Sequence, residues 1–186
     1  MTLNSPKVVI LDRDGVINED SADYIKSAEE WKAIPGSLQA IAKLHQAGFK
    51  IAVATNQSGL GRGLFDVEAL AAIHRKMLAE VCAAGGQLDA ICFCPHTPDE
   101  GCDCRKPKPG LILQIAEQFA CGTHNMLMVG DSQRDLQAAQ AAGVTSVLVR
   151  TGNGKDTERK LAPDHCPPTF DDLVSFTNEL LAENDR

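Results

Sequence analysis

The fold is decided by residues 8–18, whose sequence is VVILDRDGVIN. Its first four residues are aliphatic and predict a strand buried on both faces, as in a parallel sheet. Asp12 and Asp14 follow directly, and Gly15 permits a sharp turn. Carboxylates buried at the end of a strand are costly unless a cation compensates them. The stretch therefore predicts a site for phosphate and a divalent cation, the structural alternative being an Asp-rich turn.

Length, charge and cysteine count restrict the class of protein. The chain has 186 residues, a formal net charge of −7 and 44% hydrophobic residues. This length predicts a single domain, residues 1–186, with a sizeable core. The negative charge argues against a nucleic-acid partner, because a phosphate backbone demands a basic surface. Seven cysteines are an odd number, which fits free thiols or metal ligands better than disulfides.

The sequence predicts neither export nor a membrane partner. Residues 1–7 show no signal-peptide pattern, and no apolar run approaches the length of a membrane span. We therefore expect a cytoplasmic protein. A second apolar stripe is missing from the predicted helices, which favours a monomer.

Strand-like and helix-like segments alternate, which favours an α/β fold with a parallel sheet. Further strands are predicted at 51–55, 90–94, 126–129 and 146–149. Five helices are predicted: from the N-cap Ser37 to Gly48, from the N-cap Asp66 to Gly85, from Pro109 to Phe119, from Arg134 to Ala142 and from Asp171 to Leu181. In this reading Asp12, Thr55 and Asp131 each end a strand, and ligands bind at that edge of open α/β sheets.

Four short motifs occur in order along the chain: Asp12 with Asp14, Thr55-Asn56, Arg105-Lys106-Pro107 and Gly130-Asp131. This ordered set resembles the haloacid dehalogenase (HAD) superfamily, and the resemblance covers nearly all of residues 7–150. It implies a three-layer, Rossmann-like parallel sheet of the HAD type. It also implies a minimal cap, because no large insertion separates the first three motifs.

The resemblance further implies phosphoryl transfer through an aspartyl-phosphate. Asp12 would be the nucleophile, because a carboxylate is ionised at neutral pH. Asp14 would protonate the leaving oxygen and then act as general base for water. Mg²⁺ would be held by the carboxylates of Asp12 and Asp131 and by the backbone carbonyl of Asp14.

The remaining motif residues would contact the phosphoryl group. Thr55 and Asn56 would donate hydrogen bonds to its oxygens, and Lys106 would neutralise developing charge. The structural alternatives are a strand-end cap for Thr55 and a solvated surface lysine for Lys106. Three roles stay open for Asp135: support of Lys106, support of the metal shell, or a place in the first turn of its helix.

A second group of ligands lies at residues 94–104. Cys94 and His96 are followed by Cys102 and Cys104, which fits a closed tetrahedral Cys₃His zinc site. Sulfur and imidazole ligands favour zinc over magnesium or calcium. Four protein ligands leave no open position, so the predicted role is structural, in a loop that leads directly to Arg105. The alternative is a set of buried thiols and a surface histidine.

The zinc loop narrows the resemblance to the small zinc-containing branch that contains the histidinol-phosphate and heptose-bisphosphate phosphatases. The matching segments are 12–15, 55–59, 61–63 and 105–110. These segments resemble the heptose-bisphosphate phosphatases of this branch, and that resemblance implies removal of the 7-phosphate of D-glycero-D-manno-heptose 1,7-bisphosphate, a step towards nucleotide-activated heptose for lipopolysaccharide or surface glycans. Arg105 would recognise the distal part of the substrate, including its second phosphate. Further substrate-contact candidates are Asp20, Tyr24, Gln57, Ser58 and Arg62.

Three alternatives stay open at this level. The short loop from His96 to Cys102 is close in length to that of histidinol-phosphate phosphatases, and Ser132 stands where some heptose enzymes carry lysine. A polynucleotide 3′-phosphatase shares related motifs, but the acidic balance counts against it. The third alternative is a non-catalytic, zinc-stabilised binding module, and the intact motif residues count against it, because such a module would not need them.

Overall fold

A parallel sheet forms the centre of the computed structural model, which describes residues 7–162 and 166–184. The strands of this part of the chain are β1 Val8–Leu11, β2 Lys50–Asn56, β3 Ala90–Cys94, β4 Met126–Gly130, β5 Thr145–Val149 and β6 Thr169–Phe170. Their order across the sheet is β3-β2-β1-β4-β5-β6, and every neighbouring pair is parallel. The order steps outward from β1 in both directions, so the ends of β1, β2 and β4 meet at the centre of one edge.

Helices cover both faces of this sheet. They are α1 Ser37–Gln46, α2 Ser58–Gly61, α3 Val67–Ala83, α4 Gly110–Gln118, α5 Gln133–Ala142, α6 Gly154–Lys160 and α7 Leu173–Asn184. Helices α1, α3 and α7 contribute to one apolar core, and α4 and α5 contribute to the other. This arrangement confirms the predicted three-layer fold. Among the described residues, no helix combines the length and the apolar character that a membrane span needs.

The prediction that β1 is buried on both faces is confirmed. Val9 and Leu11 belong to the core that contains α1, whereas Val8 and Ile10 belong to the core that contains α4. All four side chains are at most 1% exposed. Asp12 directly follows β1. Because β1 lies between β2 and β4, Asp12 lies at the middle of the edge formed by the carboxyl ends of the strands.

Several local predictions differ from the structure. Ser37 is predicted as the N-cap of α1, but the N-cap is Gly36, with φ 85°. The Ser37 hydroxyl donates instead to the carbonyl of Ile17 at 2.7 Å. The helical spacing of Leu70, Ile73, Met77, Leu78 and Val81 predicts that all five lie on the buried stripe of α3, but Leu78 is 39% exposed. The sequence pattern does not predict α2, α6 or β6, because these elements are short and lack an apolar period long enough to recognise.

The segment between β1 and α1 is held against α3. Trp31 is fully buried in the core, and Lys76 of α3 donates to the carbonyls of Ala28 and Trp31, both at 2.9 Å. The Lys76 ammonium also lies 5.8 Å from the centre of the Trp31 ring, within the range of a cation–π contact. These contacts fix the base of the loop that carries Asp20 and Tyr24.

Candidate active site

A cavity of about 350 Å³ opens at the carboxyl ends of the central strands. It gathers every residue that the sequence analysis predicts for catalysis, Mg²⁺ binding or substrate contact. These lining residues are Asp12, Asp14, Asp20, Tyr24, Thr55, Asn56, Gln57, Ser58, Arg62, Arg105, Lys106 and Asp131. They come from four separate parts of the chain, and the parallel sheet brings them to one edge.

A buried acidic cluster around one lysine lies at the floor of the cavity. Carboxylate oxygens of Asp12, Asp131 and Asp135 all lie within 4.8 Å of one another. The ammonium of Lys106 is 2.9 Å from Oδ1 of Asp12 and 2.6 Å from Oδ1 of Asp135. It also donates to the carbonyl of Ala54 at 2.7 Å. Two ion pairs and one hydrogen bond therefore hold Lys106, which is buried and is not a surface lysine.

The cluster holds more negative than positive charge. Burial, together with the charge of Asp135, raises the pKa of Asp12 well above its usual range, and Lys106 offsets only part of this effect. Burial and Asp135 also raise the pKa of Asp131, to about 7. At Asp135 burial acts in the same direction, but the charge of Lys106 and the hydrogen bonds from Lys106 and Ser132 together outweigh it and lower the pKa. Negative charge is therefore left unbalanced mainly at Asp12 and Asp131, the two carboxylates predicted to bind the metal.

This unbalanced negative charge and the donor set both fit Mg²⁺. Hard carboxylate oxygens are the ligands that Mg²⁺ prefers, and a divalent charge at Asp12 and Asp131 would favour their ionised forms. Asp135 belongs to the same group of oxygens and also pairs with Lys106. The structure shows two of the three roles left open for Asp135: it pairs with Lys106, and it lies in the first turn of α5, where its Oδ2 accepts from the backbone N–H and the hydroxyl of Ser132. The side chain is 0% exposed and lies close enough to Asp12 and Asp131 to support the metal shell as well.

Asp14 faces a different set of partners. Its carboxylate accepts hydrogen bonds from Arg13, at 2.8 to 3.1 Å, from Asn18 at 2.9 Å and from Gln57 at 2.9 Å. Burial would raise the pKa of Asp14, but the charge of Arg13 and the hydrogen bonds of Asn18, Arg13 and Gln57 outweigh it and lower the pKa. Arg13 lies between the two motif aspartates, yet the sequence pattern predicts no role for it.

Thr55 and Asn56 extend the cavity wall from the end of β2. Gln57 donates to the Thr55 hydroxyl oxygen at 2.8 Å, which leaves the hydroxyl proton of Thr55 for an acceptor in the cavity. The side chain of Asn56 bonds both backbone groups of Lys106: its Nδ2 donates to the carbonyl at 3.0 Å, and its Oδ1 accepts from the N–H at 3.1 Å. The structure therefore gives Asn56 a positioning contact to Lys106, whereas the sequence predicts a contact to phosphate.

Asp131 is oriented by residues that the sequence analysis did not identify. Its Oδ2 accepts from the backbone N–H of Asn153 at 2.7 Å, and a Cβ on Gly15 would lie 2.2 Å from this oxygen. Gly15 also has φ +83°, so both its conformation and its surroundings require glycine. Thr157 donates to the carbonyl of Asp131 at 2.9 Å. Asn153 follows β5 at the same edge of the sheet, and that position is the signal by which it could have been found.

The predicted zinc ligands form a compact cluster, in which all four ligand atoms lie within 4.8 Å of one another. Cys94 Sγ is 3.5 Å from His96 Nδ1 and 3.6 Å from Cys102 Sγ, and Cys104 Sγ is 3.3 Å from His96 Nδ1 and 3.5 Å from Cys102 Sγ. Zn–S bonds of about 2.3 Å predict separations of about 3.7 Å between the sulfurs of a tetrahedral site. The four ligand atoms therefore surround a space that fits zinc.

The zinc loop also positions a cationic side chain of the cavity wall. Arg105 follows the last ligand, Cys104, and its guanidinium donates to the carbonyl of His96 at 3.2 Å. On the opposite wall, Asp20 accepts from Nδ2 of Asn153 at 2.8 Å. The cavity is also lined by Arg134, which belongs to none of the predicted motifs. The guanidinium groups of Arg105 and Arg134 therefore line the same cavity as the acidic cluster.

Comparisons with known proteins agree with this architecture. A family model described as HAD-hydrolase-like matches residues 103–173. The chain is 52% identical to the D-glycero-beta-D-manno-heptose-1,7-bisphosphate 7-phosphatase of Pseudomonas putida, over 94% of this chain and 99% of that protein. A crystal structure of D,D-heptose 1,7-bisphosphate phosphatase from B. bronchiseptica, complexed with magnesium and phosphate, is 50% identical with a TM-score of 0.92 and covers 95% of this chain and 99% of that one. The corresponding structure from Burkholderia thailandensis is 43% identical with a TM-score of 0.75, over 95% of this chain and 99% of that one.

Proposed function

The chain belongs to the HAD-like family of D-glycero-beta-D-manno-heptose-1,7-bisphosphate 7-phosphatases, and from that premise we propose how its residues remove the 7-phosphate. The protein is a sugar-bisphosphate phosphatase. One observation carries the assignment of roles: Asp12, Lys106, Asp131 and Asp135 form a buried cluster whose excess negative charge fits Mg²⁺. The substrate-facing side chains then lie above this cluster in the same cavity.

In the first step, a carboxylate oxygen of Asp12 attacks the phosphorus of the 7-phosphate. A bond forms between that oxygen and phosphorus, and the bond between phosphorus and the sugar oxygen breaks. Mg²⁺ supplies, when bound, the positive charge that lets an anionic phosphate approach a carboxylate. Thr55 donates its hydroxyl proton to a phosphoryl oxygen, and Lys106 holds Asp12 in place from the opposite side.

Asp14 gives a proton to the departing sugar oxygen and later takes one from water. Arg13, Asn18 and Gln57 favour its carboxylate form, which is the form that acts as base in the second step. The first step requires the protonated form. A bound phosphate dianion raises the pKa of a neighbouring carboxyl group, so the substrate itself promotes protonation of Asp14. In the second step, Asp14 deprotonates water, whose oxygen attacks the phosphorus of the aspartyl-phosphate; the bond between phosphorus and the Asp12 oxygen breaks, which releases inorganic phosphate and restores the Asp12 carboxylate.

We propose that short loops determine the substrate, because the described residues form no large insertion over the cavity. We assign recognition of the sugar and its 1-phosphate to Arg62, Arg105, Asp20 and Tyr24 together with Gln57. Two of these side chains are guanidinium groups, which match the geometry of a phosphate. All of these residues line the cavity. The relatives are named for the beta anomer, and we propose the same preference here.

We propose that the whole chain, residues 1–186, acts as one catalytic domain and as a monomer. In support, the strands of a single sheet lead into the loops that line the cavity, and this one chain supplies every residue to which we assign a catalytic role. We place the enzyme in the cytoplasm, where thiols stay reduced and the cysteines of the zinc cluster can act as ligands. Its product would enter the route to nucleotide-activated heptose.

A panel of phosphate esters tests the proposed substrate. We expect the kcat/KM for phosphate release with Mg²⁺ to be highest for the beta anomer of the 1,7-bisphosphate, by about a hundredfold over histidinol phosphate. The panel includes the alpha anomer, fructose 1,6-bisphosphate and a 3′-phosphorylated oligonucleotide. A preference for histidinol phosphate would refute the assignment, and equal rates on both anomers would refute the proposed anomer preference.

Arg105→Ala tests recognition of the second phosphate. We expect kcat/KM for the bisphosphate to fall by about 10- to 100-fold, because hydrogen bonds to a charged group contribute about 1.5–3 kcal/mol. The rate for heptose 7-phosphate, which lacks the 1-phosphate, should change much less. The control is Arg75→Ala, which removes an exposed arginine of α3 outside the cavity. An equal loss on both substrates would show that Arg105 serves only to support the zinc loop.

A further inference from the structure

Asn153 joins the acidic cluster to the loop on the opposite wall. Its backbone N–H donates to Oδ2 of Asp131 at 2.7 Å, and its side-chain Nδ2 donates to the same oxygen at 3.2 Å. The same Nδ2 donates to Oδ2 of Asp20 at 2.8 Å. The two protons of one amide therefore serve two carboxylates from different parts of the chain.

Both donors of Asn153 converge on one oxygen of Asp131. Gly15 and Gly152 lie against that same Oδ2, which a Cβ on either glycine would approach to 2.2 Å. Oδ2 is thus enclosed by hydrogen bonds and backbone, and Oδ1 is the oxygen left for a cation. Groups that orient a metal ligand in this way often change metal affinity by about 10- to 100-fold when they are removed.

The side chain of Asn153 does not serve its own helix. Asn153 is the N-cap of α6, a position where asparagine commonly accepts a hydrogen bond from the first turn. Here its side chain makes no such bond, and the residue is exposed. The amide is directed at Asp131 and Asp20 instead. Its removal should therefore cost α6 little stability, which separates a role at the site from a role in folding.

We propose that Asn153 is a positioning residue that presents Oδ1 of Asp131 to Mg²⁺ and ties this ligand to Asp20, so that the cation site and the substrate loop are organised together. This inference rests on the proposed function. It predicts that a substitution at Asn153 weakens Mg²⁺ binding through Asp131 and substrate binding through Asp20. A substitution at Asp20 alone leaves the backbone and side-chain contacts of Asn153 to Asp131 in place.

Titration calorimetry with Mg²⁺ alone, in the absence of substrate, tests the first part. We expect Asn153→Ala to raise the Kd for Mg²⁺ by about tenfold, the lower end of the range because its backbone N–H still holds Asp131. Lys155→Ala, two residues along α6, is the matched control and should bind Mg²⁺ as the wild type does. In Mg²⁺-free buffer the Tm of both variants should equal that of the wild type. An unchanged Kd in Asn153→Ala would overturn the proposal.

A double-mutant cycle tests the link to Asp20. Asp20→Ala should raise KM for the bisphosphate and leave the Kd for Mg²⁺ unchanged. In the Asn153→Ala background, Asp20→Ala should raise KM by a much smaller factor than it does in the wild type, because the contact that holds Asp20 has already been lost. Full additivity in KM would overturn the link. A wild type that binds no Mg²⁺ would instead refute the proposed function, and this inference with it.

Discussion

Replacement of Asp12 by asparagine is expected to abolish phosphate release, lowering kcat by about 10⁴-fold or more. An amide cannot form the aspartyl-phosphate on which both steps depend. The substitution preserves the size of the side chain and leaves Lys106 paired with Asp135 at 2.6 Å. Phosphate release from the bisphosphate measures the effect, with Asp156→Asn as control, since Asp156 is a 66% exposed carboxylate of α6. Activity above about one hundredth of the wild-type value would refute the assigned nucleophile.

The same variant should not unfold more readily. Burial and the neighbouring carboxylates raise the pKa of Asp12 in the folded protein above its unfolded value of 3.8. A raised carboxyl pKa contributes stability below the unfolded pKa and loses it as the pH rises through the folded pKa, so the ionised group opposes folding at neutral pH. We therefore expect the Tm of Asp12→Asn in Mg²⁺-free buffer to be no lower than that of the wild type. The increase in Tm on adding Mg²⁺ should be smaller for Asp12→Asn than for the wild type, because one metal ligand has been weakened.

Replacement of Cys104 by alanine should remove zinc and destabilise the protein by about 3 kcal/mol or more, because structural zinc contributes folding free energy directly. Activity should fall as well. Cys104 precedes Arg105 and Lys106, and its contacts with His96 and Cys102 in the ligand cluster hold the start of that segment. The measurements are zinc content by elemental analysis, the free energy of unfolding in urea and kcat with saturating Mg²⁺.

Cys82→Ser is the matched control, because Cys82 is an exposed cysteine outside the zinc cluster. It should retain about one zinc per chain, as the wild type does. Wild-type protein without zinc would refute the site. Loss of zinc in Cys104→Ala with unchanged stability would show instead that the metal does not support the fold.

The acidic cluster shows how far the sequence leads towards the site. Asp12, Thr55 and Asp131 are predicted from the sequence, because each directly follows a strand of aliphatic residues. In parallel sheets the carboxyl ends of the strands share one edge, so residues that directly follow different strands are expected to lie close together in space. Lys106 follows no strand and is recognised only through the ordered set of motifs. Its ion pairs with Asp12 and Asp135 depend on the path of the zinc loop, which no local pattern specifies.

The sequence does not predict which side chains of the site contact one another. Arg13 and Asp14 are adjacent in the chain, yet only the folded structure turns both side chains towards each other and lowers the pKa of Asp14. Asn56 was expected to face phosphate, and it instead bonds the backbone of Lys106, fifty positions along the chain. Contacts of this kind depend on side-chain direction and on the exact separation of two loops.

The sequence by itself determined the α/β class, the parallel sheet, the four zinc ligands and the aspartates of the edge. Each of these depends on periodicity, on ligand type or on spacing within a short segment. Only the tertiary structure decided the role of Asp135, the orientation of Asp131 and the place of Asn153. Those features arise from the burial of like charges around one lysine and from hydrogen bonds between distant loops. Such interactions depend on distances of a few ångströms that packing of the whole sheet sets.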